Sequence, residues 1–498
     1  MSDTSTLNET PALRRMLWDL AAHGPDEPAL RDSAGMLRRV DLARLADATA
    51  RWLADRGVRH GDRVVVRASA GRATVAVLFG CLRIGAVFVP YSRDMTRYQL
   101  TELVEDAEPA LLLTDDPRQL GWAAVRSHPT ADLPTTGTGD VPDVTVAPDD
   151  LALLLYTSGS TAKPKAVACT HAQVLFAANA VASVVRYRRD DVVLCRLPLS
   201  FDYGLYQVFL TFMAGGTLVL SDASRDSRLL ADLAAHAVTV MPIVPSLATM
   251  LLKLATRRTG RPETRVRLFT NTGEHLSPAT ADELRGAFPG AGVQMMFGTT
   301  ECKRICVLEV DGDRERPGSV GRAIPGTSVH ILGEDGRELP PGETGEISVR
   351  GPHLMNGYWR APEQTAQRYR VDDGTGERFL LTGDFGHLDA DGYLYFEGRR
   401  DHLFKMRGVR TSTVEIEAAA RTVPEVVQAA VLPPTPQREA VLCVVTTAAP
   451  EDVLKALREL VGPAKTPATC QVVEAMPLTA NGKVDRRALS RHVDGGPA

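Results

Sequence analysis

The sequence predicts an α/β fold: a large N-terminal domain of parallel-rich α/β sheets, a β-rich subdomain within it, and a small α+β unit at the C-terminus. Three observations carry this. Apolar runs of strand length alternate with helical patterns, joined by short links, through roughly the first 300 residues. After about residue 320 the texture changes to Gly, Pro and short β-rich segments. The last stretch returns to mixed helix and strand. The chain has 498 residues, too many for one ordinary core.

In order along the chain, residues 41–57 place apolar side chains at helical spacing and end on a Gly cap. Residues 62–69, "DRVVVRAS", read as a buried strand after the turn at Gly61. "RATVAVLFGCLRIG" reads as a helix, "AVFVPY" as a strand, "TRYQLTELVEDA" as a helix and "ALLLTD" as a strand. Residues 121–148 are rich in Pro, Thr, Asp and Gly and read as a loop. "LALLLY" (151–156) is a buried strand, and the alternation continues through "DVVLCRLPLS", "GTLVLS" and "VTVMPIVPS". "DADGYLYFEGRRD" (389–401) is a hairpin around an Asp-Gly turn. In the tail, "VEIEAAARTVP" and "EDVLKALREL" read as helices, "VVQAAVL" and "AVLCVVTT" as strands. These changes of texture divide the chain into a core of residues 1–400, with the β-rich piece at about 320–400, and a C-terminal domain of 401–498 that begins at Asp401.

Composition excludes several classes. Hydrophobic residues make up 44% and charged residues 24%, and the net charge of −4 leaves no electrostatic footprint for nucleic acid. No apolar run approaches the ~20 residues that span a bilayer, and the N-terminal stretch lacks the apolar segment of a signal peptide. The seven cysteines are scattered, with no CxxC and no His cluster at zinc spacing. A reduced, cytoplasmic protein without its own metal-ligand set is expected, with magnesium brought in by a nucleotide left open. Of 57 basic residues only eight are lysine, so each lysine carries weight as a point charge that Arg would not replace.

Two of those lysines fall in "YTSGSTAKPKAV" (156–167), directly after the buried strand. A Gly-containing turn points backbone N–H groups at an anion, Ser and Thr hydroxyls add donors, and Lys163 and Lys165 neutralise charge. This is phosphate-binding chemistry, at the strand end where α/β proteins bind ligands. It is not a Walker A loop: the spacing fails, and Pro164-Lys165 leads into a strand-like run. The plain alternative is a solvated Ser/Thr turn.

The loop resembles the signature of the adenylate-forming superfamily, which includes acyl- and aryl-CoA synthetases, adenylation domains of nonribosomal peptide synthesis and firefly luciferase. Four further motifs follow in the family's order. "FGTTE" (297–301) resembles its aromatic-Gly-x-Thr-Glu motif, and "LTGDFG" (381–386) its Thr-Gly-Asp motif. "GRRDHLFKMRG" (398–408) resembles the domain hinge, and "PLTANGKVDR" (477–486) the loop of the C-terminal catalytic lysine. The resemblance implies an AMP-forming acid–thiol ligase using ATP and Mg²⁺. A carboxylate attacks the α-phosphate and expels pyrophosphate, then a thiol on coenzyme A or on a carrier protein's phosphopantetheine displaces AMP. It also implies that the C-terminal domain is a mobile lid.

Residue by residue, the resemblance implies that Thr157, Ser158, Gly159, Ser160, Thr161 and Lys165 cradle the β- and γ-phosphates. Glu301 binds Mg²⁺, and Phe297 with Gly298, Thr299 and Thr300 lies beside the nucleotide. Gly273 and Glu274, in "NTGEHLS" (271–277), close the other side of the base. Asp384 receives the ribose hydroxyls, and Arg399 holds ribose or phosphate. Lys483 bridges the substrate carboxylate and the α-phosphate, which makes Lys483, Glu301 and Thr157 the catalytic set. Asp401 is the hinge, and Gly408 lines the thiol tunnel. Two departures stand out. Ala162 and Ala166 replace the family's glycines, so this loop is expected to be stiffer. The hinge segment "VRTSTVEIE" differs from that of peptide-synthetase adenylation domains and looks more like acyl- or aryl-activating relatives, which leaves the acceptor open.

The substrate pocket is read the same way. In "PLSFDYGLYQ" (198–207) Asp202 sits where amino-acid-activating relatives pair an Asp with the substrate ammonium. Its alternative is a structural Asp, since some acyl-CoA synthetases also carry FDYG. Lys303 and Arg304 fall where small or apolar residues are usual, which suggests a second acidic or polar group on the substrate, as in a dicarboxylic or β-amino acid; the alternative is a buried ion pair or a solvent-directed charge. Tyr203, Tyr206, Ser246, Thr270, Thr272, Met296 and Ile305 complete the expected walls. The expected function is activation of a small carboxylic acid, an amino acid by preference, as acyl-AMP and its transfer to a separate carrier protein. The alternatives are a small-acid CoA ligase, an adenylate former with a non-thiol acceptor, or an inert binding protein. No nucleic-acid or membrane partner is expected.

Overall fold

A computed structural model describes residues 12–119, 125–136, 140–157, 165–221, 223–257, 263–399, 403–406, 409–435, 438–479 and 482–495. Two large sheets share one apolar core. The first has nine strands, and its centre is a run of parallel neighbours: Pro28–Asp32, Thr217–Leu220, Val192–Cys195, Val240–Ile243, Leu268–Asn271 and Gly292–Phe297. The second has seven strands, with Val87–Tyr91, Arg63–Arg67, Leu111–Thr114 and Leu151–Thr157 parallel at its centre.

Side-chain alternation explains the layering. In "RVVVR", Val64 and Val66 face the shared core, while Val65 faces the opposite layer with Leu100 and Leu103 of the helix Arg97–Ala107. Strands covered on both faces read as continuous apolar runs, which is why "LALLLY" is legible as a strand. Helix starts follow local chemistry. Thr170 and Gln173 form a capping box that opens His171–Val185 directly after the strand Lys165–Thr170.

The β-rich subdomain is a five-stranded antiparallel sheet, Ser328–Leu332, Gly345–Arg350, Arg378–Leu388, Tyr369–Val371 and Leu394–Arg399, with its own apolar cluster. The Asp-Gly hairpin turns where expected, with Gly392 N–H donating to Asp389 O at 3.0 Å. The smaller C-terminal unit carries a three-stranded sheet, Val426–Leu432, Val441–Thr446 and Thr469–Val472, packed by Thr413–Ala420 and Pro450–Val461. Asp401 and Gly408 lie outside the described residues.

Three elements differ from the sequence reading. The supposed loop at 121–148 contains a short strand, Ser127–Pro129, that pairs parallel with Leu111–Thr114. The C-terminal unit has a further strand, Thr469–Val472, and a helix, Arg486–Val493. Each is short and largely polar or exposed, so little apolar sequence marks it.

Candidate active site

The parallel strands of the nine-stranded sheet point their C-terminal ends at one cavity of about 480 Å³. Leu268–Asn271 delivers Thr272, Gly273 and Glu274 to its wall, and Gly292–Phe297 delivers Phe297 to Glu301. The second sheet contributes Tyr156 and Lys165, the subdomain Asp384 and Phe396, and the C-terminal unit Thr479 and Lys483.

The turn after Phe297 is the tightest part of the wall. Lys303 N–H donates to Thr299 O at 2.6 Å, and Ile305 N–H donates to Phe297 O at 2.8 Å, so the chain returns on itself within eight residues. Lys303 holds φ at +68°, an unfavourable region for a side-chain-bearing residue that the surrounding bonds enforce. Gly298 is required there: a Cβ would stand 1.9 Å from Lys303 O. The turn presents Thr299, Thr300, Glu301 and Arg304 to the cavity.

Glu301 is held on several sides. Tyr358 Oη donates to Glu301 Oε1 at 2.7 Å, while Tyr369 Oη and Met355 N–H each donate to its carbonyl at 3.0 Å. Oε2 has no hydrogen-bond partner among the described residues. One free carboxylate oxygen on a cavity wall is the hard donor that Mg²⁺ takes alongside phosphate oxygens and water, so the residues fit that ion. Among the described residues no group of three His, Cys, Asp or Glu side chains could hold a metal alone.

Asp384, only 5% exposed, lies on the cavity wall. Its backbone N–H donates to Thr382 Oγ1 at 3.1 Å, and Thr382 Oγ1 donates to Ile347 O at 2.7 Å, which fixes the turn. The strand register sets Asp384 opposite Arg399. Phe297 tilts against Phe396, centroids 5.2 Å apart, and both rings face the cavity.

Lys483 reaches the cavity from the C-terminal unit. Its loop is closed by Thr479 N–H donating to Lys483 O at 2.7 Å and Gly482 N–H donating to Thr479 O at 2.8 Å. The ammonium lies 5.8 Å from the Phe201 ring centroid. Next to it, Val484 N–H donates to Glu274 Oε1 at 3.3 Å. Desolvation raises the Glu274 pKa, with the Lys483 and Arg486 charges pulling it back down. Arg486 also pairs with Glu417 at 2.5 Å.

Asp202 opens the helix Asp202–Ala214 and Arg304 comes from the turn after Phe297; they are 7% and 6% exposed. Both line the cavity. Arg304 stacks over the Tyr203 ring at 4.8 Å and donates from Nη1 to Lys303 O at 3.1 Å, while its buried Nε has no partner. Neither charge forms an ion pair among the described residues.

Several expected wall residues stand elsewhere. Tyr203, Tyr206 and Lys303 line a separate void of about 10 Å³ behind Asp202, Met296 and Arg304. Lys303 donates its ammonium to Thr300 O at 2.8 Å, inside the turn and away from the cavity. Thr270 is buried beneath, bonded to Tyr203 Oη at 2.7 Å. Ile305 is not a pocket wall: one position after Arg304, it faces the opposite side and joins the subdomain core with Cys302 and Leu380. Ser246, at the start of the helix Pro245–Thr256, meets Gly482 instead, whose Cβ position is 2.6 Å from Ser246 Oγ.

Of the phosphate-loop residues, Ser158, Gly159, Ser160, Thr161, Ala162 and Lys163 lie outside the described residues. The flanking strands are antiparallel, with Thr157 opposite Lys165 and Tyr156 opposite Ala166. Tyr358, Phe201 and Thr479 also line the cavity, and sequence reasoning misses them. No local pattern marks them.

Comparison with known proteins agrees with this geometry. Residues 17–359 match the AMP-binding enzyme family, and residues 415–483 match the AMP-binding enzyme C-terminal domain. The chain is 31% identical to the L-proline–[L-prolyl-carrier protein] ligase of Pseudomonas fluorescens, over 97% of this chain and 99% of that one. It is 41% identical to VinN in a complex structure with L-aspartate, over 78% of this chain and 98% of that one, with a TM-score of 0.70. It is 26% identical to the o-succinylbenzoate coenzyme A synthetase of Bacillus subtilis in complex with ATP and magnesium, over 96% and 99%, with a TM-score of 0.84. Against other curated relatives it spans less than half their length, 43% and 19% for two of them. No helix among the described residues is long and apolar enough to cross a membrane. The matched length, the order of the motifs and the fold together place this chain in the family of AMP-binding, adenylate-forming enzymes.

Proposed function

We propose that this protein activates an amino dicarboxylic acid as its acyl-adenylate and passes the acyl group to the phosphopantetheine thiol of a separate carrier protein. One observation carries the substrate reading: an Asp202 carboxylate and an Arg304 guanidinium, both buried, face the same cavity without a counter-ion among the described residues. Buried charges need partners. A substrate ammonium would satisfy Asp202, and a second substrate carboxylate would satisfy Arg304. The L-aspartate held by VinN in its complex is an acid of this kind.

The reacting carboxylate then lies toward Lys483. Its oxygen attacks the α-phosphorus and displaces pyrophosphate; Lys483 offsets the charge gathering between them, a matter of positioning and electrostatics. Residues 157–161 and Lys165 would hold the β- and γ-phosphates, and Glu301 the Mg²⁺ that arrives with ATP and neutralises them. Phe297 and the Gly273–Glu274 segment would flank the base, and Asp384 and Arg399 the ribose. In the second step the thiol sulfur attacks the acyl carbonyl and displaces AMP, after the lid turns about Asp401 and brings the segment around Gly408 to the thiol. The carrier-protein acceptor is supported by the prolyl-carrier relative.

The test is pyrophosphate exchange across aspartate, a β-amino dicarboxylic acid, asparagine and succinate. Exchange should favour the amino dicarboxylic acids, and Asp202→Asn should move preference toward succinate. A half-broken buried pair costs about 3–5 kcal/mol. If Asp202→Asn lowers every acid alike, Asp202 is structural, and a CoA ligase for a small acid becomes the better reading.

A further inference from the structure

We propose that Tyr358 is a positioning residue of the adenylation step, fixing the Glu301 carboxylate against the strand that leaves the phosphate loop. This rests on the reading of Glu301 as the magnesium-side carboxylate.

The side chain joins two parts of the site that come from different sheets. Its backbone belongs to the two-residue strand Gly357–Tyr358, which pairs antiparallel with Lys165–Thr170 and sets Tyr358 opposite Val167. Trp359 N–H extends the pairing to Ala166 O at 2.8 Å. Tyr358 is therefore anchored within two residues of Lys165, and the Lys165 ammonium stands 5.6 Å from its ring centroid. The hydroxyl at the far end donates to Glu301 Oε1 at 2.7 Å. The Tyr369 ring packs against it edge-on, centroids 6.3 Å apart, and Thr365 Oγ1 accepts from its backbone N–H at 2.9 Å.

The consequence is directional. Tyr358 occupies Oε1 and leaves Oε2 to the cavity, so the carboxylate offers one oxygen in a fixed orientation. Partners that orient a ligating carboxylate in this way set roughly 10- to 100-fold in metal affinity. The hydroxyl of this one side chain meets Glu301 while its ring lies 5.6 Å from the Lys165 ammonium, so Tyr358 stands between the metal-side carboxylate and the phosphate-side lysine.

Tyr358→Phe removes only the hydroxyl. The measurement is equilibrium ATP binding at stepped Mg²⁺ concentrations, followed by tryptophan fluorescence with Trp359 as neighbour, on the wild type, Tyr358→Phe and Glu301→Gln. The expected result is a Mg²⁺ midpoint raised roughly tenfold in Tyr358→Phe, with unchanged ATP affinity at saturating Mg²⁺, unchanged melting temperature and unchanged KM for the acid. An unmoved midpoint in Tyr358→Phe alone overturns the proposal, as does a lower melting temperature with no Mg²⁺ effect. An unmoved midpoint in Glu301→Gln as well removes the metal reading of Glu301 and the proposal with it.

Discussion

Arg304→Leu is the most informative single substitution in the substrate pocket. Arg304 is 6% exposed, its Nε lacks a partner, and its one hydrogen bond among the described residues runs from Nη1 to the Lys303 carbonyl. Leucine keeps apolar contact with the Tyr203 ring, so packing loss is modest, while the guanidinium that would meet a second carboxylate disappears. A buried substrate carboxylate left without its cation costs about 3–5 kcal/mol. At about 1.4 kcal/mol per decade, kcat/KM for an amino dicarboxylic acid should fall roughly 150- to 5,000-fold. An uncharged substrate of similar size, such as asparagine in place of aspartate, should lose little or gain. The assay is pyrophosphate exchange on both acids, with the melting temperature as a control for folding. A parallel fall for both acids would refute the reasoning, because it would make Arg304 a structural cation of the turn; an unchanged ratio would refute it too.

Lys483→Ala should lower adenylate formation roughly 10²- to 10³-fold while thioester formation from a supplied acyl-adenylate persists; comparable losses in both half-reactions would count against a lid that serves only the first. Asp384→Ala should weaken ATP binding by about 1.5–3 kcal/mol, the worth of hydrogen bonds to a charged acceptor, and calorimetry with ATP and with a deoxyribose analogue would locate the loss at the sugar. Stability should fall on mild acidification. Burial holds His171 and His353 at about 4, with all four ring nitrogens lacking partners. Both are neutral in the fold, and the unfolded chain takes up their protons below about 6.5. The contribution is therefore complete above pH ~6.5 and is lost as pH falls toward 4, on the order of 3 kcal/mol per group. Urea unfolding between pH 7 and 4.5 should show this slope, and His353→Leu should flatten it.

What the sequence reveals and what it hides divide along a physical line. The Ser/Thr-Gly loop, "FGTTE" and the Thr-Gly-Asp turn are short segments that match the family's motifs residue after residue, so the pattern is written in consecutive letters. Asp202 is legible through its place in a family-like segment, and Arg304 as a charge where small or apolar residues are usual. Tyr358 is not, because its meaning lies in a bond to Glu301 across 57 positions of chain, and a Tyr in a short edge strand has an ordinary local explanation. Glu274 reads from sequence as closing the base, but its bond from Val484 N–H, which ties the core to the Lys483 loop, spans 210 positions.

Ile305 shows the opposite failure. Its place next to Arg304 in the sequence suggests the same pocket, yet adjacent residues entering a strand face opposite ways. The register that decides between them is set by the antiparallel pairing of Phe297 with Cys306, by the bond from Ile305 N–H to Phe297 O at 2.8 Å, and by the close approach that Gly298 permits, with a Cβ there 1.9 Å from Lys303 O. The glycine is visible in the sequence as part of the family-like motif "FGTTE". Its geometric effect is to let the Lys303–Arg304 backbone cross close behind the turn, which turns Arg304 into the cavity and Ile305 away from it. The same residue that shapes this wall thus determines which side chain turns into the cavity, so the proposed nucleotide motif and the proposed specificity charge are one piece of backbone. Gly298→Ala should accordingly disturb acid selectivity and ATP binding together, whereas Arg304→Leu should disturb selectivity alone.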